Sequence, residues 1–280
     1  MRNEKLLIVT DLDATLLTKD YKWNDAAATI LRLQSLGFPI VFNSSKTHLE
    51  MMNLSLEMGN LAPIVGENGG TLAIPAGWPQ GPEREADYSI EVKGIQRRRI
   101  CLVAHKLRKQ EGYEFEGFSD WSVEELRART GLSPEQAQHA QTRYSTEPIL
   151  WTESEARWSE FERSLSAENI RILRGGRFRH LMGQHDKADG LVHVRELYER
   201  ELPEIRWTTI ALGDSPNDLR MLEAADIAVV IPTEHGPILK PKSKNLVVAK
   251  SPGPVGWAHS MEKILEDWLA NRKDPSENRS

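Results

Sequence analysis

The sequence has one cysteine, Cys101, so a disulfide within the chain is impossible. Because protein disulfides form in oxidising compartments, a lone thiol favours a reducing one, and we expect the protein in the cytoplasm. No apolar run reaches the length of a membrane span, and the run near the first residues is too short for the core of a signal peptide. A membrane partner is therefore not expected.

The sequence also lacks a long run of charge of one sign. Lys and Arg number 36 and Asp and Glu number 41, which gives a formal net charge of -5 at pH 7. A protein that grips nucleic acid or an anionic membrane usually carries a basic face or tail. We therefore expect no nucleic-acid partner, and the sequence leaves the oligomeric state open.

Strands and helices alternate on both sides of a region with a different pattern. The 280 residues are long for one domain, and the alternation up to residue 74 and again from residue 186 predicts a parallel sheet that includes a third strand at residues 63–65. In the region between these two stretches, the predicted helices and strands are segregated and do not alternate. We predict an α/β fold with a doubly wound parallel-sheet core (residues 1–82 and 183–272), an inserted α+β cap domain (83–182) and a frayed tail (273–280).

The motif around which the core is organised is the apolar run at residues 6–10 (LLIVT), which ends on Asp11 and Asp13. The β-branched composition predicts a strand buried on both faces. Ligands of open α/β sheets bind just beyond the carboxyl ends of the strands. Asp-x-Asp is also common in turns and helix caps, so the pair needs partners elsewhere to indicate a site.

Such partners follow other predicted strands or begin predicted helices. Together with the Asp pair they form a set of carboxylates, a hydroxyl and an ammonium, which suits a phosphate ester with a hard divalent cation. The residues of this set are Asp11, Asp13, Ser44, Lys187, Asp214 and Asp218. Mg²⁺ prefers oxygen ligands and is often held by one or two carboxylates. Cys or His pairs at zinc spacing are absent, which argues against zinc. We predict Mg²⁺ as the cofactor.

These residue types predict phosphoryl transfer. Asp11 attacks phosphorus and forms an aspartyl-phosphate, while Mg²⁺ and Lys187 offset the repulsion between the carboxylate and the phosphate. Asp13 protonates the leaving alkoxide and later takes a proton from water. Ser44 and nearby backbone amides hold phosphoryl oxygens at a helix N-terminus.

In order and context, residues 11–16 (DLDATL), Ser44, Lys187 and residues 213–218 (GDSPND) resemble the four motifs of haloacid dehalogenase superfamily phosphatases. The insertion between Ser44 and Lys187 is similar to the large α/β cap of some members. Ala14 is a departure, since the family usually has Gly there. If this position requires positive φ, Ala costs about 1 kcal/mol of strain.

The resemblance implies a role for each matching acid. Asp11 is the nucleophile and a Mg²⁺ ligand, and Asp13 is the acid/base residue with a ligating carbonyl. Asp214 completes the metal ligands, and Asp218 supports the metal site through hydrogen bonds or water.

Further stretches resemble the mannosyl-3-phosphoglycerate phosphatases, namely residues 43–47 (NSSKT), 66–69 (GENG), 176–183 (GRFRHLMG) and 253–257 (GPVGW). The resemblance implies a small substrate, 2-O-(α-D-mannosyl)-3-phosphoglycerate, which is hydrolysed to phosphate and mannosylglycerate, a compatible solute. Glucosyl-3-phosphoglycerate or another sugar phosphate stays open, because the fold and core motifs do not select an epimer. A phosphosugar mutase and a non-catalytic sugar-phosphate binding protein are the alternatives of other classes.

Four further residues are candidates for substrate contact: Lys46, Asn68, Arg177 and His180. Each also has an ordinary explanation, such as a turn for Asn68, surface charge for Arg177 and a half-buried ring for His180. Alternate residues of a strand face opposite sides, so Arg177 and His180 cannot both face the site.

Overall fold

This computed structural model describes residues 3–80, 87–174 and 177–273. By contacts between Cα atoms, the chain divides into one unit of Met1–Phe42 with Arg195–Ser280 and a second unit of Asn43–Val194. The predicted cap domain lies within the second unit. Its predicted boundary at residue 82, and residues 274–280 of the predicted tail at 273–280, lie outside the described residues. The proposed domain limits therefore stay a prediction.

The described residues form β-strands and α-helices, which are numbered in chain order. The strands are β1 (Asn3–Thr10), β2 (Ile40–Phe42), β3 (Ile64–Gly66), β4 (Thr71–Pro75), β5 (Tyr88–Val92), β6 (Phe115–Gly117), β7 (Thr146–Trp151), β8 (Arg171–Arg174), β9 (Arg179–Met182), β10 (Ile205–Gly213), β11 (Ile227–Val230) and β12 (Leu246–Val248). The α-helices are α1 (Ala27–Ser35), α2 (His48–Glu57), α3 (Arg97–Glu111), α4 (Val123–Thr130), α5 (Pro134–Gln141), α6 (Glu155–Ala167), α7 (Lys187–Glu201), α8 (Leu219–Ala224) and α9 (Gly253–Lys273).

The first unit contains a five-stranded parallel sheet in the order β12-β11-β10-β1-β2. The central strand β1 pairs with β10 along its whole length, from Asn3 opposite Ile205 to Thr10 opposite Leu212. Its apolar residues are fully buried, as expected of a strand covered on both faces. The predicted α/β class with a parallel sheet is confirmed.

The second unit is built on two antiparallel sheets, β3-β4-β5 and β6-β7-β9-β8. Aromatic residues fill its core between the larger sheet and the helices α3 and α6, where Phe115, Trp158 and Phe161 are all buried. Strands that pair antiparallel and helices grouped beside them agree with the α+β pattern predicted for the inserted region.

The pairing of the third strand differs from the prediction. β3 pairs antiparallel with β4, and its parallel pairing is limited to one bridge between Val65 and Asn43. The physical reason is the turn that follows β3, where Glu67, Asn68 and Gly69 all have positive φ, at 53°, 56° and 89°. These left-handed residues reverse the chain at once, so β4 returns beside β3 as its antiparallel partner.

Helix α7 begins at Lys187. The Asp186 carboxylate accepts hydrogen bonds from the backbone N–H groups of Ala188 and Asp189, at 2.8 and 3.3 Å, which caps the helix at this point. In the part of the chain that the structure describes, we find no helix that combines the length and apolar composition of a membrane span.

Candidate active site

The chain leaves β1 through a tightly wound loop at residues 11–17. The backbone N–H groups of residues 15, 16 and 17 all donate to the carbonyl oxygen of Leu12, at 3.2, 3.0 and 2.8 Å. Within this loop Ala14 adopts a φ of 59°, in the left-handed region that favours glycine. Ala14 therefore has the positive φ at which a residue with a Cβ is strained.

Asp11 begins this loop and is 5% exposed. Its backbone N–H donates to the carbonyl of Leu212 in β10 at 3.0 Å. The buried indole of Trp257 in α9 donates to the Thr10 hydroxyl at 3.0 Å, and this hydroxyl donates to the carbonyl of Asp11 at 2.7 Å. The backbone of Asp11 is thus held by both a neighbouring strand and a helix.

Three carboxylates converge at the carboxyl ends of β1 and β10. Asp11, Asp214 and Asp218 each offer an oxygen that lies within 4.8 Å of those of the other two. Negative charges this close repel one another unless a cation or a proton compensates for them. A set of carboxylate oxygens suits a hard divalent cation, so the residues present fit the predicted Mg²⁺.

The turn after β10 fixes two of these acids. The Oδ2 of Asp218 accepts hydrogen bonds from the backbone N–H groups of Asp214, at 3.2 Å, and Ser215, at 3.0 Å. A Cβ on Gly213 would lie only 2.4 Å from the Cβ of Asp218, so this close turn requires glycine. The Thr15 hydroxyl donates to Oδ1 of Asp214 at 3.1 Å and links the loop after β1 to this turn.

Asp13 does not contribute a carboxylate to this group. The residue is exposed, and its backbone forms a parallel bridge with Leu17. Its predicted contribution to a metal is the main-chain carbonyl, which stays a prediction. A cavity of about 460 Å³ lies beside the loop and is lined in part by Ala14, Asp214 and Pro254, which leaves open space next to the acids.

A second group of predicted residues lies in the second unit. Ser44 is 1% exposed, donates its backbone N–H to the carbonyl of Val65 at 3.1 Å, and accepts the N–H of Asn68 at 2.9 Å. The side-chain amide of Asn43 donates to the carbonyl of Lys187 at 2.8 Å. The structure thus brings Ser44, Asn68 and Lys187 together around the start of α7.

Lys187 is 1% exposed at the first position of α7. The helix dipole disfavours a cation at a helix N-terminus, and burial adds a desolvation cost. Lys187 is therefore not a solvated surface lysine, and its role in binding an anion remains a prediction.

The remaining predicted residues differ in exposure. Lys46 is partly exposed. Arg177 is exposed, and its guanidinium donates to the carbonyl of Arg129 within the second unit. His180 lies on β9, where burial and, secondarily, the positive charge of Arg143 lower the pKa of its imidazole to about 3. Substrate contact by these residues remains a prediction.

Sequence analysis did not identify four residues that form hydrogen bonds with predicted site residues or with the loop beside them: Thr15, Asn43, Glu67 and Arg143. The first three lie inside the recognised motifs, and that position was the available signal. Their hydrogen bonds join segments that are far apart in the sequence, and such bonds leave no periodicity to detect.

Similarity to known proteins decides the family. Residues 8–80 match the family model of haloacid dehalogenase-like hydrolases. A glucosyl-3-phosphoglycerate/mannosyl-3-phosphoglycerate phosphatase of Persephonella marina is 33% identical over 267 residues, which cover 94% of this chain and 98% of that protein. This chain belongs to the haloacid dehalogenase-like hydrolases.

Other members of the haloacid dehalogenase-like hydrolases agree with this assignment. A phosphatase of the same name from Methanococcoides burtonii is 31% identical over 279 residues, which cover 93% of this chain and 97% of that protein. A solved haloacid dehalogenase-like hydrolase from B. subtilis has a TM-score of 0.61 at 20% identity and covers 92% of this chain and 99% of that one. The latter likeness shows the fold alone. The predicted family and enzyme class are confirmed.

Proposed function

We propose that this haloacid dehalogenase-like hydrolase is a Mg²⁺-dependent phosphomonoesterase that forms an aspartyl-phosphate and hydrolyses mannosyl-3-phosphoglycerate. The observation that carries the proposal is the convergence of Asp11, Asp214 and Asp218 at the ends of two paired strands. The naming of both similar proteins as phosphatases supports the same chemistry.

In the proposed mechanism the Asp11 carboxylate attacks phosphorus and carries the phosphoryl group as a covalent intermediate. Asp13 donates a proton to the leaving alkoxide and then accepts one from the water that attacks the intermediate. The exposure of Asp13 is compatible with this exchange of protons with solvent. Ser44 and Lys187 bind phosphoryl oxygens, which accounts for a buried lysine at a helix start.

Asp11 and Asp214 would hold Mg²⁺ together with the carbonyl of Asp13, and Asp218 would support them. The bound ion supplies positive charge that offsets the repulsion between carboxylate and phosphate. The residues themselves provide rigid placement: Asp218 is fixed by two backbone N–H groups, and Thr15 orients the Asp214 carboxylate. Such outer hydrogen bonds tune metal affinity.

The glucosyl ester of 3-phosphoglycerate is the second candidate substrate, because both similar proteins carry glucosyl as well as mannosyl in their names. The two sugars differ only in the configuration at one carbon. A pocket that does not hydrogen-bond that hydroxyl discriminates weakly between them. The substrate is in either case a small phosphorylated glycoside. We also propose a cytoplasmic location, which the single thiol of Cys101 supports.

The test is release of inorganic phosphate from mannosyl-3-phosphoglycerate, glucosyl-3-phosphoglycerate and a panel of sugar phosphates, with Mg²⁺ and with EDTA. We expect turnover of one or both glycosyl esters and its loss in EDTA, restored by added Mg²⁺. Unchanged turnover in EDTA contradicts the metal assignment. Isomerised sugar phosphate without free phosphate indicates a mutase, and absence of turnover on the whole panel indicates a binding protein.

Asp11→Asn tests the nucleophile. Asparagine keeps the size of the side chain but removes the attacking charge, so we expect kcat to fall at least about 1,000-fold. The matched control is Asp267→Asn, because Asp267 is an exposed acid on α9 in the same unit. Activity of Asp11→Asn close to that of the control removes Asp11 from the mechanism.

A further inference from the structure

The three carbonyl groups of residues 44–46 are all hydrogen-bonded from within the second unit. The carbonyl of Ser44 accepts the backbone N–H of Asn68 at 2.9 Å, and that of Lys46 accepts the N–H of Glu67 at 2.9 Å. The carbonyl of Ser45 accepts Nη1 of Arg143 at 3.3 Å. One of the three donors is therefore a charged side chain from a distant segment.

The Arg143 guanidinium is buried, with its side chain 5% exposed. Its Nε donates to the carbonyl of Ala140 at 2.9 Å, its Nη1 also donates to the Thr146 hydroxyl at 2.9 Å, and its Nη2 lies 3.6 Å from a carboxylate oxygen of Glu50. A buried charge is costly unless its donors are satisfied. Here each nitrogen has a partner, so the group is fixed in one orientation.

Through Glu50, Arg143 also reaches the first turn of α2. The Thr47 N–H donates to the Glu50 carboxylate at 2.8 Å, and the Thr47 hydroxyl accepts the N–H of Glu50 at 3.2 Å, which forms a capping box. Residues 44–46 lie between β2 and this cap. Arg143 thus binds both the middle of this loop and the residue that closes its far end.

The segment that carries Arg143 also holds the opposite side of the loop. The Glu67 carboxylate accepts the backbone N–H of Tyr144 at 2.8 Å, the N–H of Ser145 at 2.9 Å and the hydroxyl of Thr146 at 2.6 Å. These bonds fix Glu67, the left-handed residue whose backbone N–H donates to the carbonyl of Lys46. The segment following α5 therefore supports the loop at two points, directly at the Ser45 carbonyl and through Glu67 at the Lys46 carbonyl.

We propose that Arg143 is a positioning residue for phosphate binding, because it fixes the loop at residues 44–46. This inference rests on the proposed function, in which Ser44 binds the phosphoryl group. The guanidinium provides several N–H donors in a planar fork, whereas a lysine ammonium cannot reach the Ser45 carbonyl, Thr146 and Glu50 in the same arrangement. Arg143 contributes the placement of the loop and takes no part in bond formation.

The test compares Arg143→Lys and Arg143→Met with the same changes at Arg108. Arg108 is a matched control because it also binds a carboxylate, Asp120, and a main-chain carbonyl, and lies over a phenylalanine ring. The readouts are the Kd of inorganic phosphate, measured by calorimetry on the whole chain with Mg²⁺, and KM and kcat. We expect both Arg143 variants to raise the phosphate Kd and KM about tenfold, with a smaller change in kcat, and both Arg108 variants to change Kd less than twofold.

The two proposals fail in different ways. If the unaltered chain binds phosphate but releases none from any ester, the proposed function is wrong and the Kd comparison still decides the role of Arg143. If both Arg143 variants fold and bind phosphate as the Arg108 variants do, the inference is overturned. Should neither fold, Glu50→Gln removes one partner and keeps the cap acceptor; we expect a rise in Kd, and an unchanged Kd overturns the inference.

Discussion

Replacing Ala14 by glycine should stabilise the protein. Its φ of 59° places it in the left-handed region, where an L-residue with a Cβ costs about 1–2 kcal/mol. Glycine avoids this cost but has more conformational freedom in the unfolded chain, which costs about 0.5–1 kcal/mol. Ala14 is exposed, so removal of its methyl group loses little burial. The expected net gain is about 0.5–1 kcal/mol in the free energy of unfolding.

The same substitution at Ala28 is the matched control. Ala28 is also exposed and lies in the first unit, but it belongs to the first turn of α1, where Gly is less favourable than Ala by at most about 1 kcal/mol. One chemical change is thus expected to act with opposite signs at two positions. Only the backbone conformation accounts for this difference.

The assay is urea unfolding of the whole chain, followed by far-ultraviolet circular dichroism and by tryptophan fluorescence. Two probes are needed because a chain with two compact units can unfold in more than one step. We expect the midpoint to rise for Ala14→Gly and to fall for Ala28→Gly at unchanged slope. If both variants lose stability equally, residue 14 is not strained and the reasoning from φ is refuted.

Three further predictions concern single contacts. Gly213→Ala forces a Cβ against Asp218 and should cost about 1–3 kcal/mol of stability and weaken Mg²⁺ binding in calorimetry; a parental Tm and Mg²⁺ affinity contradict this. Thr15→Val removes the hydrogen bond to Asp214 and should raise the Kd of Mg²⁺ about tenfold, whereas an unchanged Kd would count against a role for this bond. Because the folded protein keeps His180 neutral while the unfolded chain protonates it below its ordinary pKa of 6.5, the free energy of unfolding should fall by about 1 kcal/mol between pH 6 and pH 5. His180→Leu should flatten this slope in urea titrations, and an equally steep slope in the variant refutes the assignment.

The parallel sheet could be predicted from the sequence because its strands are buried on both faces. Such strands appear as continuous apolar runs, and β1 and β10 have this composition. The antiparallel pairing of β3 could not be predicted, since it depends on left-handed backbone at Glu67 and Asn68. Neither residue type requires that conformation, so the reversal of the chain has no unambiguous signal in the sequence.

The acidic group could be predicted from a rule about strand ends, and the structure places Asp11, Asp214 and Asp218 together. Arg143 could not be predicted, because its role depends on contacts with segments almost 100 residues away in the chain. A buried arginine and a solvated one look alike in a single sequence. The side chains that hold a site are therefore harder to find than those that react in it.

The full-length ladder between β1 and β10 has a consequence for synthesis of the chain. It joins residue 3 to residue 205, so the central strand pair closes a loop of more than two thirds of the 280-residue polypeptide. Translation delivers Asp11 early and its two acidic partners only after residue 218 has left the ribosome. Fragments that stop earlier lack the acids that complete the cluster, so under the proposed function we expect no such fragment to hydrolyse the ester.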